Sequence, residues 1–258
     1  MLNPELFENL PLLADGGYPP GASPAEGPEG WCLAEDPQAM RAHQAAYRAA
    51  GARLLRTHVP RANEVLLHGT PLAGRAEAIC HTAAALAREA HAGRPGGVMG
   101  CLPNVMPDGA HPRDVERAFA QQVIYLSDKE VDFFIMEHLQ PGQFMPELLR
   151  ICREESDAPL LAVIRPWEGM KGPALADFAA GLADAGVQAL GLGCFAPTPA
   201  ALEWLTPMNA PGLPLAWLPA PGTASHADFA AHLRQAGQAG ALIVGGCCGV
   251  PPEALRGV

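Results

Sequence analysis

The chain has 258 residues, 49% of them hydrophobic, a length and composition that suit one α/β barrel with a sizeable core. A formal net charge of −10, without any stripe of Lys or Arg, argues against a nucleic-acid partner, whose phosphates demand clustered cations. No apolar run approaches the roughly 20 residues of a membrane span. The first residues carry acids where a secretory leader needs positive charge, so a soluble cytoplasmic protein is expected.

Aliphatic runs alternate with alanine-rich segments of helical spacing, the pattern of repeated βα units. The first strand is expected over 11–16, with Asp15 at its end. A Gly/Pro-rich stretch over 16–30 follows, too broken for a regular element and suited to an active-site loop. A helix over 37–50 leads to a second strand over 53–58 that ends at His58. Next come a helix over 74–93, a strand over 97–103, a helix over 112–130 and a strand over 132–138. In that fourth strand the apolar run Phe133-Phe134-Ile135-Met136 meets Glu137. A helix over 146–155, a strand over 159–166 and a helix over 173–185 precede a strand over 189–194, which ends Gly191-Leu192-Gly193-Cys194. A helix over 198–205, a strand over 214–220, a helix over 227–239 and a strand over 241–247 complete eight units. The eighth helix, starting near Pro251, is expected to be short or missing, and the apolar surface left beside it is a candidate dimer contact.

Eight parallel strands fit either an open doubly wound sheet or a closed barrel. No Gly-x-Gly-x-x-Gly and no phosphate loop follows a strand, which favours a single-domain (β/α)8 barrel over 1–258. Chemistry then belongs at the C-terminal strand ends, here Asp15, His58, Glu137, Cys194 and the pair Cys247-Cys248.

Seven cysteines, an odd number, read as reduced thiols rather than a disulfide framework. The strongest local signal is Gly245-Gly246-Cys247-Cys248-Gly249. Adjacent strand residues face opposite sides, so both sulfurs reach one metal only where the backbone leaves strand geometry, as the glycines permit. With Cys194 they make three thiolates, which leave a tetrahedral Zn²⁺ one open position, as at catalytic sites. Burial as small hydrophobes is the competing reading, and a vicinal Cys247-Cys248 disulfide a third. Cys80 and Cys152 fall in helical patterns and Cys101 at a strand end, all read as packing residues.

Asp15 precedes Gly16-Gly17, whose amides can form an anion nest. Glu137 follows an apolar run in which an unpaired charge would be costly. Each is read either as a ligand for a substrate amine or as half of a structural salt bridge. His58 and His138, also at strand ends, are open to three readings, as ligands, proton carriers or satisfied hydrogen-bonding residues, of which the last is favoured.

This constellation resembles the homocysteine S-methyltransferase family. The landmarks are Asp15-Gly16-Gly17, Ala49-Ala50-Gly51-Ala52, the strand ending in Glu137, Gly191–Cys194 and Gly245–Gly249. The resemblance implies a zinc barrel in which Cys194, Cys247 and Cys248 bind the metal. It implies further that Asp15 and Glu137 hold the homocysteine amino group near the Gly16 and Gly17 amides. One segment departs: where many relatives carry a Thr-Asn-Thr-Phe-like stretch, this chain reads Arg56-Thr57-His58-Val59-Pro60-Arg61-Ala62-Asn63, with no aromatic to grip a quaternary ammonium donor. Tyr18 and Trp31 remain as donor contacts.

The activity so implied is methyl transfer to homocysteine, giving methionine, from a small sulfonium or ammonium donor or from a separate methylated corrinoid protein. The rivals are methylation of another thiol or selenol, a lyase with Glu137 as base, and a zinc-binding component inactive without its partner.

Overall fold

The structure, a computed structural model, describes residues 11–17, 36–91, 96–104, 109–142, 146–209 and 211–258. Eight parallel strands are present: β1 (Leu12–Leu13), β2 (Leu54–Arg56), β3 (Gly97–Leu102), β4 (Phe133–Leu139), β5 (Leu160–Ile164), β6 (Ala189–Gly193), β7 (Leu215–Leu218) and β8 (Ile243–Val244). Their order is β1-β8-β7-β6-β5-β4-β3-β2. A parallel bridge from Ala14 to Leu54 closes the ring. Two hydrogen bonds support that bridge: Arg53 N donates to Leu13 O at 2.7 Å and Asp15 N to Leu54 O at 2.9 Å.

The two-residue alternation of the strands sorts the apolar residues into two layers. Leu12, Ala14, Leu54, Met99, Phe133, Ile135, Leu161, Val163, Ala216 and Ile243 fill the barrel interior. Their neighbours Leu13, Leu55, Val98, Phe134, Leu160, Leu190, Trp217 and Val244 pack outward beneath the helices. The interior is tight at β6: a Cβ on Gly193 would stand 2.8 Å from Val163 Cγ1. That strand can carry only glycine there unless Val163 shifts.

The helices are α1 (Pro37–Ala49), α2 (Glu64–Leu67), α3 (Ala76–His91), α4 (Pro112–Ser127), α5 (Pro146–Glu155), α6 (Gly172–Asp184), α7 (Leu205–Met208) and α8 (His226–Gln238). Their starts follow from capping. Asp36 accepts from Gln38 N and Ala39 N before α1, and Ser225 accepts from Asp228 N before α8. Two details differ from expectation. The segment expected as a helix over 198–205 is a 3-10 helix, Pro199–Trp204, that runs into α7, and α2 was not foreseen. After β8, where a short or missing helix was expected, stands a 3-10 helix, Pro252–Leu255, that buries Ala254 and Leu255. Among the described residues Ile124 is the large hydrophobic side chain that is exposed, so no broad apolar face marks the gap. No helix among them is long and apolar enough to cross a membrane.

Candidate active site

Each element delivers its chemical residue to the C-terminal end of the barrel by a small irregularity. On β4 the register shifts between Met136 and Leu139. Such a bulge re-aims side chains, letting the adjacent Glu137 and His138 serve one site where a regular strand would separate them. His138 (φ 67°), Cys194 (φ 56°) and His58 (φ 55°) all adopt the left-handed conformation at strand ends. Non-glycine residues rarely do so without a surrounding structure that enforces it, and such outliers concentrate at functional sites. After β8 the chain leaves strand geometry through Gly245, Gly246 and Cys247 into a turn at Cys248, as the sequence required.

The donor atoms of His138, Cys194, Cys247 and Cys248 converge, all within 4.8 Å of one another. His138 Nε2 is 2.9 Å from Cys194 Sγ and 3.8 Å from Cys247 Sγ. Cys194 and Cys247 are joined as a disulfide, with Cα atoms 5.6 Å apart, and Cys248 stands outside it. This pairing was not among the sequence readings. Reduction by two electrons would return both sulfurs as thiols at the same place. Sulfur and imidazole are donors that zinc prefers, and two Zn–S bonds of about 2.3 Å set a limit of about 4.6 Å between sulfurs. The spread of this cluster lies close to that limit, so the reduced residues fit such an ion. His138 is the member that the expected metal set lacked, since at a strand end it was favoured as a hydrogen-bonding residue over a ligand.

Beside the sulfurs lies a buried ionic cluster. Arg56 follows Leu54 in the inward register of β2, and its side chain is 1% exposed. Its Nη1 donates to Asp15 Oδ1 at 2.6 Å and to Asp15 O at 2.8 Å. Its Nη2 donates to Glu137 Oε1 at 3.1 Å and to Gly246 O at 3.2 Å. The Arg56 amide donates to Asp15 Oδ2 at 2.8 Å, and His58 Nε2 lies 3.2 Å from the same oxygen. His43 Nε2 sits 3.2 Å behind His58 Nε2. Burial alone would raise the Asp15 pKa, but Arg56 and His58 outweigh it and hold the carboxyl below its ordinary value. Burial would likewise strip the proton from Arg56, and Glu137 and Asp15 reverse that, raising its pKa. His43 is pushed down to about 3, by burial first and then by His58. Burial also lowers His138.

The residues read from the sequence therefore take distinct places. Glu137 reaches the site with 18% of its side chain exposed, whereas Asp15 is 0% exposed and both of its oxygens are engaged within the protein. The nest expected at Gly16-Gly17 is partly used, because Gly17 N donates to Cys247 O at 2.9 Å. Any side chain at Gly17 would force the backbone to shift: its Cβ would stand 2.6 Å from Cys248 N. Cys80, Cys101 and Cys152 are buried, and burial pushes each thiol up to about 12, consistent with packing roles. Tyr18, Trp31, Cys32 and most of the expected loop 16–30 lie outside the described residues. A surface cavity of about 430 Å³ lined by Arg41, Arg48, Leu86 and Glu89 shares no residue with this site.

Fold and donor set together define a (β/α)8 barrel that gathers one imidazole and three cysteine sulfurs, a group that could hold a metal ion, at its C-terminal mouth. The chain belongs to the homocysteine S-methyltransferase family, whose sequence profile matches residues 15–258. Among solved structures it is similar to the homocysteine methyltransferase MmuM from Escherichia coli. The metallated form is 24% identical with a TM-score of 0.75, over 98% of this chain and 97% of that one. The oxidized form is 23% identical with a TM-score of 0.75, over 98% and 96%. The carboxyl transferase domain of Rhizobium etli pyruvate carboxylase shares the fold more distantly, at 16% identity and a TM-score of 0.60, over 95% of this chain and 42% of that one. No curated protein matches the chain.

Proposed function

We propose that this chain catalyses zinc-dependent transfer of a methyl group to the thiol of homocysteine, giving methionine. The observation that carries the reading is the convergence of His138, Cys194, Cys247 and Cys248 beside Glu137 at the barrel mouth. In the reduced protein the three cysteines would hold the ion, with His138 as a fourth donor until the substrate sulfur replaces it. Bound zinc would keep that sulfur ionised, whereas a free thiol of pKa about 8.5 is only a few per cent thiolate at pH 7.

The chain's own residues then position the reaction. Glu137 borders the thiol site, its carboxylate held in place by Arg56. The Gly17–Cys247 hydrogen bond ties the first-strand loop to the cysteine turn, fixing amide and sulfur together. In the transfer, the substrate sulfur forms a bond to the methyl carbon. The donor's C–S or C–N bond breaks with its electron pair left on the donor, and the thiol proton is released.

Reduced protein reconstituted with zinc should form methionine from homocysteine and S-methylmethionine, and lose that activity on chelation. Methyl transfer unaffected by zinc removal would refute the metal's role. Silence with S-methylmethionine, while the zinc protein binds homocysteine, would assign the donor to a separate methylated corrinoid protein.

A further inference from the structure

An ammonium held by two carboxylates meets two negative charges. In this chain the two carboxylates of the site already hold a cation. Arg56 bridges Asp15 and Glu137 through both terminal nitrogens, leaving the group of three with one net negative charge instead of two. Asp15 has no oxygen to offer: Oδ1 accepts from Arg56 Nη1, Oδ2 accepts from the Arg56 amide, and His58 Nε2 adjoins Oδ2. Releasing Asp15 to a ligand would break a fully buried ion pair, one of the costliest local changes a protein can make. Glu137, the carboxylate left in reach, carries a guanidinium 3.1 Å from Oε1 that repels any arriving ammonium. Arg56 Nε–H is also buried and has no acceptor among the described residues. The cluster thus has a spare donor, which suits an anion, while its acceptors are largely taken.

We propose that Arg56 is a specificity-determining residue that relaxes the requirement for a substrate ammonium. The site then accepts thiols bearing a carboxylate but no α-amino group, the ω-mercaptoalkanoates, about as well as homocysteine. This rests on the thiol-binding metal site proposed above.

The test needs no methyl donor. Full-length reduced protein is loaded with Co²⁺, and the sulfur-to-cobalt charge-transfer band is titrated with L-homocysteine and with 4-mercaptobutanoate, which lacks only the amino group. The two dissociation constants should agree within about fivefold, and a larger preference for homocysteine overturns the proposal. Arg56→Thr, which frees Asp15 Oδ1 and removes the guanidinium beside Glu137, should shift the ratio toward homocysteine by about tenfold or more, whereas Arg56→Lys should keep it. A ratio unmoved in a folded Arg56→Thr variant also overturns the proposal; if that variant does not fold, the wild-type ratio decides. Failure of both thiols to perturb the band would instead refute the metal–thiol reading itself, and this inference with it.

Discussion

Replacing Arg56 by Met tests the ionic cluster most severely. The substitution keeps much of the side-chain volume but removes the cation bonded to both Asp15 and Glu137, with Asp15 at 0% and Arg56 at 1% exposure. Removing one partner of a buried pair leaves an uncompensated charge and costs about 3–5 kcal/mol. For a domain of this size that corresponds to a fall in Tm of roughly 6–20 °C. The pH dependence gives the second readout. In the wild type the folded Asp15 pKa is depressed, so its contribution is present above the unfolded pKa and lost as pH falls through the folded value. In Arg56→Met the guanidinium is gone while burial, the largest influence, stays, opposed by His58 and the backbone amide of residue 56, so the folded pKa rises relative to the wild type and the variant falls behind it as pH rises from about 4 toward 7. The deficit should therefore widen with pH, and Asp15→Asn in the Arg56→Met background should recover at least half of it. Urea unfolding at pH 4.5 and pH 7 measures this. A deficit below about 1 kcal/mol, or one equal at both pH values, would refute the reasoning.

Other consequences are as direct. His43, with a folded pKa of about 3, stays neutral while the unfolded chain takes up a proton below 6.5, so stability falls as pH drops. The loss is about 1.4 kcal/mol between pH 7.5 and 5.5, and His43→Gln should flatten the slope; an unchanged slope counts against the assignment. His138 and His232, both lowered by burial, contribute in the same direction to the slope that remains. Gly17→Ala should cost about 1–3 kcal/mol and reduce zinc retention, since its Cβ would press on Cys248 N; unchanged thermal melting and metal content would contradict this. Cys194→Ala should lose stoichiometric zinc, and full metal content with full methyl transfer would end the three-cysteine account.

The alternation of apolar residues revealed the barrel in the sequence because inward and outward positions differ in partner. Leu54 and Ile135 meet the interior while Leu55 and Phe134 meet helices. The glycines around Cys247 marked the departure from strand geometry because only they tolerate such close backbone approach. For His138 the sequence offered a ligand role without deciding for it: a bulge carries no residue signature there, and without it alternation separates His138 from Glu137. Arg56 was visible as a departure, and its parity with Leu54 pointed inward. Its role depends on meeting Asp15 from β1 and Glu137 from β4, a juxtaposition that only ring closure creates. The disulfide between Cys194 and Cys247 likewise joins residues 53 apart in sequence.

The central claim is that this barrel activates a thiol on zinc held by Cys194, Cys247 and Cys248. Zinc X-ray absorption on reduced protein, with and without homocysteine, addresses it directly. A resting shell of three sulfurs and one nitrogen that becomes four sulfurs on adding homocysteine is the predicted result. Absence of zinc, or a shell indifferent to homocysteine, would contradict the account.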